Sequence, residues 1–93
     1  MTRTRTLLAG AVALAIVAGT AETVVAQGAC EQLWVERNSI FKARGYCFKT
    51  RRAISYFGNA GCVYDNENAV PLSPGERARV AQIRAMERQY GCR

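Results

Sequence analysis

Histidine is absent from the sequence, and only seven acidic residues stand against 13 basic ones. Without an imidazole, neither a Ser-His nor a Cys-His nucleophile can be assembled. No Cys-x-x-Cys spacing occurs either, so the usual spacings of a structural zinc site and of a redox-active dithiol are both missing. Repeats, low-complexity tracts and interdomain linkers are absent too, which argues for one folded unit. Asp65-Asn66-Glu67-Asn68 gathers oxygen ligands, yet it lacks the glycine and the distant bidentate glutamate of a calcium loop, and its residues suit a turn. Two carboxylates would serve a glycosidase, but so short a chain leaves little room for a cleft. These absences point away from an enzyme and away from any metal or cofactor.

What the sequence does carry begins with a leader. Arg3 and Arg5 form a positive n-region, and Leu7 to Ala18 is an apolar run shorter than the about 20 residues a membrane span takes. Val24 and Ala26 occupy the small-residue positions before a cut. Cleavage is expected after Ala26, with Ala21 as second choice. Retention as an N-terminal anchor and lipoprotein processing at Cys30 are the alternatives. Gln27-Gly28-Ala29 lacks the leucine that lipidation prefers, and a lipidated Cys30 would leave an odd number of thiols. A leader at 1–26 and a domain at 27–93 give a 67-residue mature chain with 11 basic and six acidic residues, net charge +5. No stable membrane span is expected after cleavage. A domain this small has a thin core and needs staples. Export to an oxidising compartment, periplasmic or secreted, lets its four cysteines supply them.

The expected fold is all-α: three helices, stapled by disulfides, with a long loop before the last. Helix 1 is read over 31–44, where Leu33, Trp34, Ile40 and Phe41 share an arc and Gly45 can close the helix with φ > 0. Helix 2 is read over 51–57, capped by Thr50 and stopped by Gly58, with Ala53, Ile54 and Phe57 toward the core. A strand at 62–64 would lack an obvious partner. Helix 3 starts with Ser73 as N-cap, Pro74 at N1 and Glu76 at N3, a capping box. Val80, Ile83, Met86 and Tyr90 give its apolar period, and Gly91 ends it.

Leu33-Trp34, Arg37-Asn38, Ile40-Phe41 and Gly45-Tyr46-Cys47-Phe48 together resemble the signature of the YARHG domain, a small module of exported bacterial proteins. Tyr56-Phe57 and Leu72-Ser73 followed by Glu76 extend the likeness over about 33–90. The five residues that name the family read Phe41-Lys42-Ala43-Arg44-Gly45 here, so its tyrosine is Phe41 and its histidine is missing. The resemblance implies a helical extracytoplasmic domain, found alone or appended to enzymes and other envelope modules, and brings no catalytic role.

Cys30, Cys47, Cys62 and Cys92 allow three pairings. Joining Cys30 to Cys47 would bring together the ends of a 14-residue helix, roughly 20 Å apart, whereas disulfide Cα atoms lie within about 7 Å. The nested pairing, Cys30–Cys92 with Cys47–Cys62, needs helices 1 and 3 antiparallel. The crossed pairing, Cys30–Cys62 with Cys47–Cys92, needs them parallel. Nesting is favoured because it ties the termini and clips both flanks of helix 2.

Two helices carry charge inside their apolar stripes. Arg37 and Arg44 fall on the arc of Leu33, Ile40 and Phe41. Glu76 and Glu87 fall on the arc of Val80, Ile83 and Tyr90. A desolvated guanidinium needs a partner, and a carboxylate accepts it bidentately. Cross-helix ion pairs, Arg37 with Glu87 in an antiparallel packing, are the expectation. An anion pocket of Arg37, Arg44 and Asn38, or snorkelling to solvent, are the alternatives.

Arg77, Arg84 and Arg88 form a second stripe on helix 3, and Lys49, Arg51 and Arg52 cluster at the start of helix 2. A solvated basic surface is the ordinary reading of both. They are also the candidates for contact with an anionic envelope component or an acidic protein partner. Nucleic acid is not expected in that compartment. Tyr64, in the loop, is the aromatic residue best placed for contact with a sugar. The functional expectation is a non-enzymatic binding or structural module of the envelope. A secreted cationic effector and a protein inhibitor of an envelope enzyme are the rivals. Oligomeric state has no sequence signal.

Overall fold

A computed structural model describes residues 25–93 as three α-helices with no strand among them. The leader assigned to 1–26 lies outside the described residues apart from Val25 and Ala26. Both are helical, and α1 (residues 25–43) already runs through them. The helix therefore starts well before the expected Glu31, because nothing from 25 to 30 breaks it except the tolerated Gly28. At its other end Gly45 takes φ 88°. Gly45 N–H donates to Lys42 O (3.2 Å) and Tyr46 N–H to Phe41 O (3.1 Å), the two bonds of a Schellman motif. The hydrophobic contact that accompanies the motif is made by Phe41 and Tyr46, ring centroids 5.6 Å apart.

α2 (Arg51–Phe57) is capped by Thr50, whose hydroxyl accepts from Ala53 N–H, and stopped by Gly58 at φ 72°. One face of so short a helix suffices to seat it. Ala53 is buried and Phe57 half-buried, whereas Ile54, expected in the core, is 42% exposed. The segment at 62–64 does have a partner. Tyr64 forms a single parallel bridge with Tyr46, Cys47 N–H donates to Tyr64 O (2.8 Å), and Gly45 O accepts from both Val63 and Tyr64. The Asn59 side chain also acts as a mock strand, bonding both the N–H and the C=O of Phe48.

A 3-10 turn (Glu67–Ala69), capped by the Asn66 side chain, leads to α3 (Pro74–Gln89). The capping box forms as read: Glu76 N–H donates to Ser73 Oγ (3.1 Å), and Ser73 N–H to Glu76 Oε1 (2.8 Å). α3 ends in a second Schellman motif, with Gly91 at φ 69°, Gly91 N–H to Arg88 O and Cys92 N–H to Glu87 O. Tyr90, placed on the apolar stripe by its spacing, lies beyond the covered part of the helix and is 48% exposed.

The disulfides are nested, Cys30–Cys92 and Cys47–Cys62. They matter because the core is thin. Phe41, Val70 and Val80 form its centre, with Ile40, Tyr46, Tyr64 and Leu72 packed around them. An aromatic chain runs outward from it: Phe41 to Tyr46, Tyr46 to Phe48, Phe48 to Phe57, and Phe57 to Trp34 and Tyr56, each step 4.6–5.7 Å between centroids. Such pairs add to the stability that area burial alone provides.

Candidate functional site

The arginines of the two apolar stripes are occupied in holding the helices together. Arg37 donates through Nε and Nη2 to both carboxylate oxygens of Glu87, at 2.7 and 3.0 Å. Arg44 Nε donates to both oxygens of Glu76, at 2.9 and 3.1 Å. Asn38 is buried and donates to the carbonyl of Trp34, so the alternative anion pocket of Arg37, Arg44 and Asn38 has its donors already committed. A third pair joins the same helices and was not foreseen: Arg79 grips Glu36 bidentately, at 2.6 and 2.7 Å. Both residues flank their apolar stripes, one helical turn from Leu33 and from Ile83. From sequence alone such flanking charges look like ordinary solvated ones.

These contacts shift titrations in the direction their geometry demands. Glu76 is held below its ordinary value of 4.5, first by the Ser73 backbone N–H and then by Arg44. Glu36 is lowered chiefly by its hydrogen bond from Arg79, and Arg79 is raised in return by Glu36.

The basic cluster at α2 divides. Lys49 pairs with Asp65 (3.0 Å) on an open surface. Arg52 pairs with Glu31 and lies over the Trp34 ring, 3.7 Å from its centroid. Arg51 is exposed. Lys49 and Arg52 border different hollows, so the cluster does not make one site.

The α3 stripe does converge. Arg77, Arg84 and Arg88 line one cavity of about 320 Å³. Leu72, Val80, Ala81 and Phe41 give it an apolar lining, and Glu67 and Asn68 of the 3-10 turn also border it. Arg84 is partly neutralised: its Nη2 donates to Glu67 Oε1 at 2.9 Å, and its guanidinium carbon sits 5.9 Å from the Phe41 ring. Arg77 Nη2 reaches only the Leu72 carbonyl, at 3.3 Å. Among the described residues no carboxylate pairs with Arg77 or Arg88. The periodicity of α3 marked the three arginines. The opposite wall comes from a turn whose contact with α3 no local pattern reveals. Tyr64 is half-buried and is spent on the bridge and the core.

Among the described residues no helix is long and apolar enough to cross a membrane, and no three His, Cys, Asp or Glu side chains gather to hold a metal. No curated protein and no solved structure matches the chain. The family comparison is positive and accords with the motif geometry. Phe41 is buried in the position of the family's tyrosine. Arg44, in the position of its histidine, bonds the capping carboxylate, and the glycine of the motif is the left-handed residue that closes α1. With the YARHG domain matched over residues 11–88, most of its length, the chain belongs to the YARHG domain family.

Proposed function

We propose that this protein is an exported, non-catalytic binding module of the cell envelope, and that the arginine-lined cavity between the 3-10 turn and α3 is its working face. The observation that carries the reading is the convergence of Arg77, Arg84 and Arg88 on one hollow, two of them without a carboxylate partner among the described residues. Uncompensated guanidinium groups against a low-dielectric wall concentrate positive potential and attract anions. Arg37, Arg44, Lys49, Arg52 and Arg79 are each committed to an ion pair elsewhere, which leaves them less free to meet the same anion. Family membership, the leader-like N-terminus and two disulfides all favour an oxidising, extracytoplasmic setting.

The test is capture from the host envelope with the exported, oxidised protein, at low and at moderate salt. Parallel capture uses Arg77→Ala/Arg84→Ala/Arg88→Ala. Specific capture that falls with the triple change supports the assignment. Capture that ignores the change rejects this face.

A further inference from the structure

The cavity makes three demands on an occupant. Arg77 and Arg88 present guanidinium donors that have no ion-pair partner among the described residues. Glu67, whose Oε1 already holds Arg84, and Asn68 border the same cavity and bring acceptor groups that want O–H or N–H donors. Leu72 and Val80 offer an apolar strip between them. At about 320 Å³ the space lies at the small end of ligand pockets and suits an occupant of ring size.

A bare inorganic anion answers the arginines but is repelled by Glu67 and ignores the apolar strip. A neutral sugar answers Glu67 and the strip but leaves the arginines uncompensated. An acidic sugar residue answers all three, with its anionic group on Arg77 or on Arg88, which stand at opposite ends of α3, its hydroxyls toward Glu67 and Asn68, and its C–H face on Leu72 and Val80. Resting on the binding-module reading above, we infer that the cavity takes a carboxylate-bearing sugar residue of an envelope polysaccharide, and that Glu67 sets the selectivity. The Glu67–Arg84 pair keeps a carboxylate in the cavity that penalises donor-free anions and rewards hydroxyls. This is discrimination by charge, an anion being disfavoured beside a carboxylate that a hydroxyl can meet as a donor.

Calorimetric titration of the oxidised protein tests this with three probes at fixed ionic strength: a galacturonate disaccharide, the matching neutral galactose disaccharide and inorganic phosphate. The uronate should bind most tightly. Arg77→Ala and Arg88→Ala should each weaken it about tenfold, the loss expected for one charge-assisted hydrogen bond. Glu67→Gln, which keeps an acceptor but removes the charge, should strengthen phosphate binding and shrink the uronate-to-phosphate ratio about tenfold. Equal binding of uronate and phosphate, equal binding of the neutral disaccharide, or a ratio untouched by Glu67→Gln would overturn the sugar assignment. So would tight binding to phosphatidylglycerol vesicles that the uronate does not displace. If arginine-dependent capture from the envelope persists in those cases, the working face stands and only its ligand class changes. If capture is also indifferent to the arginines, both readings fall.

Discussion

Replacing Arg37 and Glu87, singly and together, tests how α1 and α3 are held. The pair makes two charge-assisted bonds, and its side chains are only 19% and 14% exposed. Two unit charges about 4 Å apart attract by about 4 kcal/mol at an effective dielectric near 20. Desolvation of both ions consumes much of that, so the net value of the pair is modest. The cost of removing one partner is larger than this net value, because the other charge is left half-buried and alone. Arg37→Leu and Glu87→Leu should each lose about 2 kcal/mol, below the 3–5 kcal/mol range of fully buried pairs because both side chains keep some water contact. The double variant should also lose only about 2 kcal/mol, giving a coupling of about 2 kcal/mol. Urea unfolding followed by far-ultraviolet circular dichroism, with disulfides intact and a common slope, measures all four proteins. A double variant losing about 4 kcal/mol or more would mean the two side chains act independently, and the ion-pair account of the α1–α3 contact would be wrong.

The disulfides differ in span, 62 against 15 residues of sequence separation, so loop entropy makes the first worth about 4 and the second about 3 kcal/mol. Cys30→Ser/Cys92→Ser should therefore melt below Cys47→Ser/Cys62→Ser, and the opposite order in calorimetry would rule out the loop-entropy account. Glu36 and Glu76 titrate lower in the folded protein than their ordinary 4.5, so their contribution to stability is present above that pH and fades as pH falls below it. Glu76→Gln should flatten the acid limb of a stability–pH profile measured by urea unfolding; an unchanged limb would contradict the assignment. Gly45→Ala forces a Cβ into φ 88°, 3.4 Å from Tyr64 Cδ2, and should cost about 1–2 kcal/mol. Gly75→Ala, in the open first turn of α3 with nothing nearer than 4.0 Å, should instead gain about 0.5 kcal/mol in the same assay.

Local chemistry announced most of the fold. Thr50 and Gly58 bound α2 at both ends, and Ser73, Pro74 and Glu76 start α3, because caps act within one turn and need no tertiary context. The antiparallel α1–α3 packing was legible for a different reason: opposite charges inside two apolar stripes require each other. Where the reading went astray, burial rather than propensity was at issue. Ile54 and Tyr90 carry apolar side chains at positions that neighbouring elements do not cover, and spacing on one helix cannot report the reach of another. The early start of α1 was hidden because its first residues also suit the end of a leader. Of the candidate site, the arginine stripe was visible as helical periodicity. Glu67, Asn68 and Leu72 were not, because a turn's place in the fold is set by contacts distant in sequence.

Glu76 belongs at once to a local signal and to a long-range one, since the oxygen that receives Ser73 N–H also receives Arg44 Nε. The start of one helix and the end of another thus share a single carboxylate, and initiation of α3 is reinforced by its own docking. Arginine makes this joint indifferent to any pH at which the carboxylate stays ionised. Imidazole in the same place would instead release Glu76 as pH rose past its own pKa, turning a fixed hinge pin into one that loosens in neutral water and tightens in mild acid. Phe41-Lys42-Ala43-Arg44-Gly45 is, in that sense, the form of the joint that does not loosen at neutral pH.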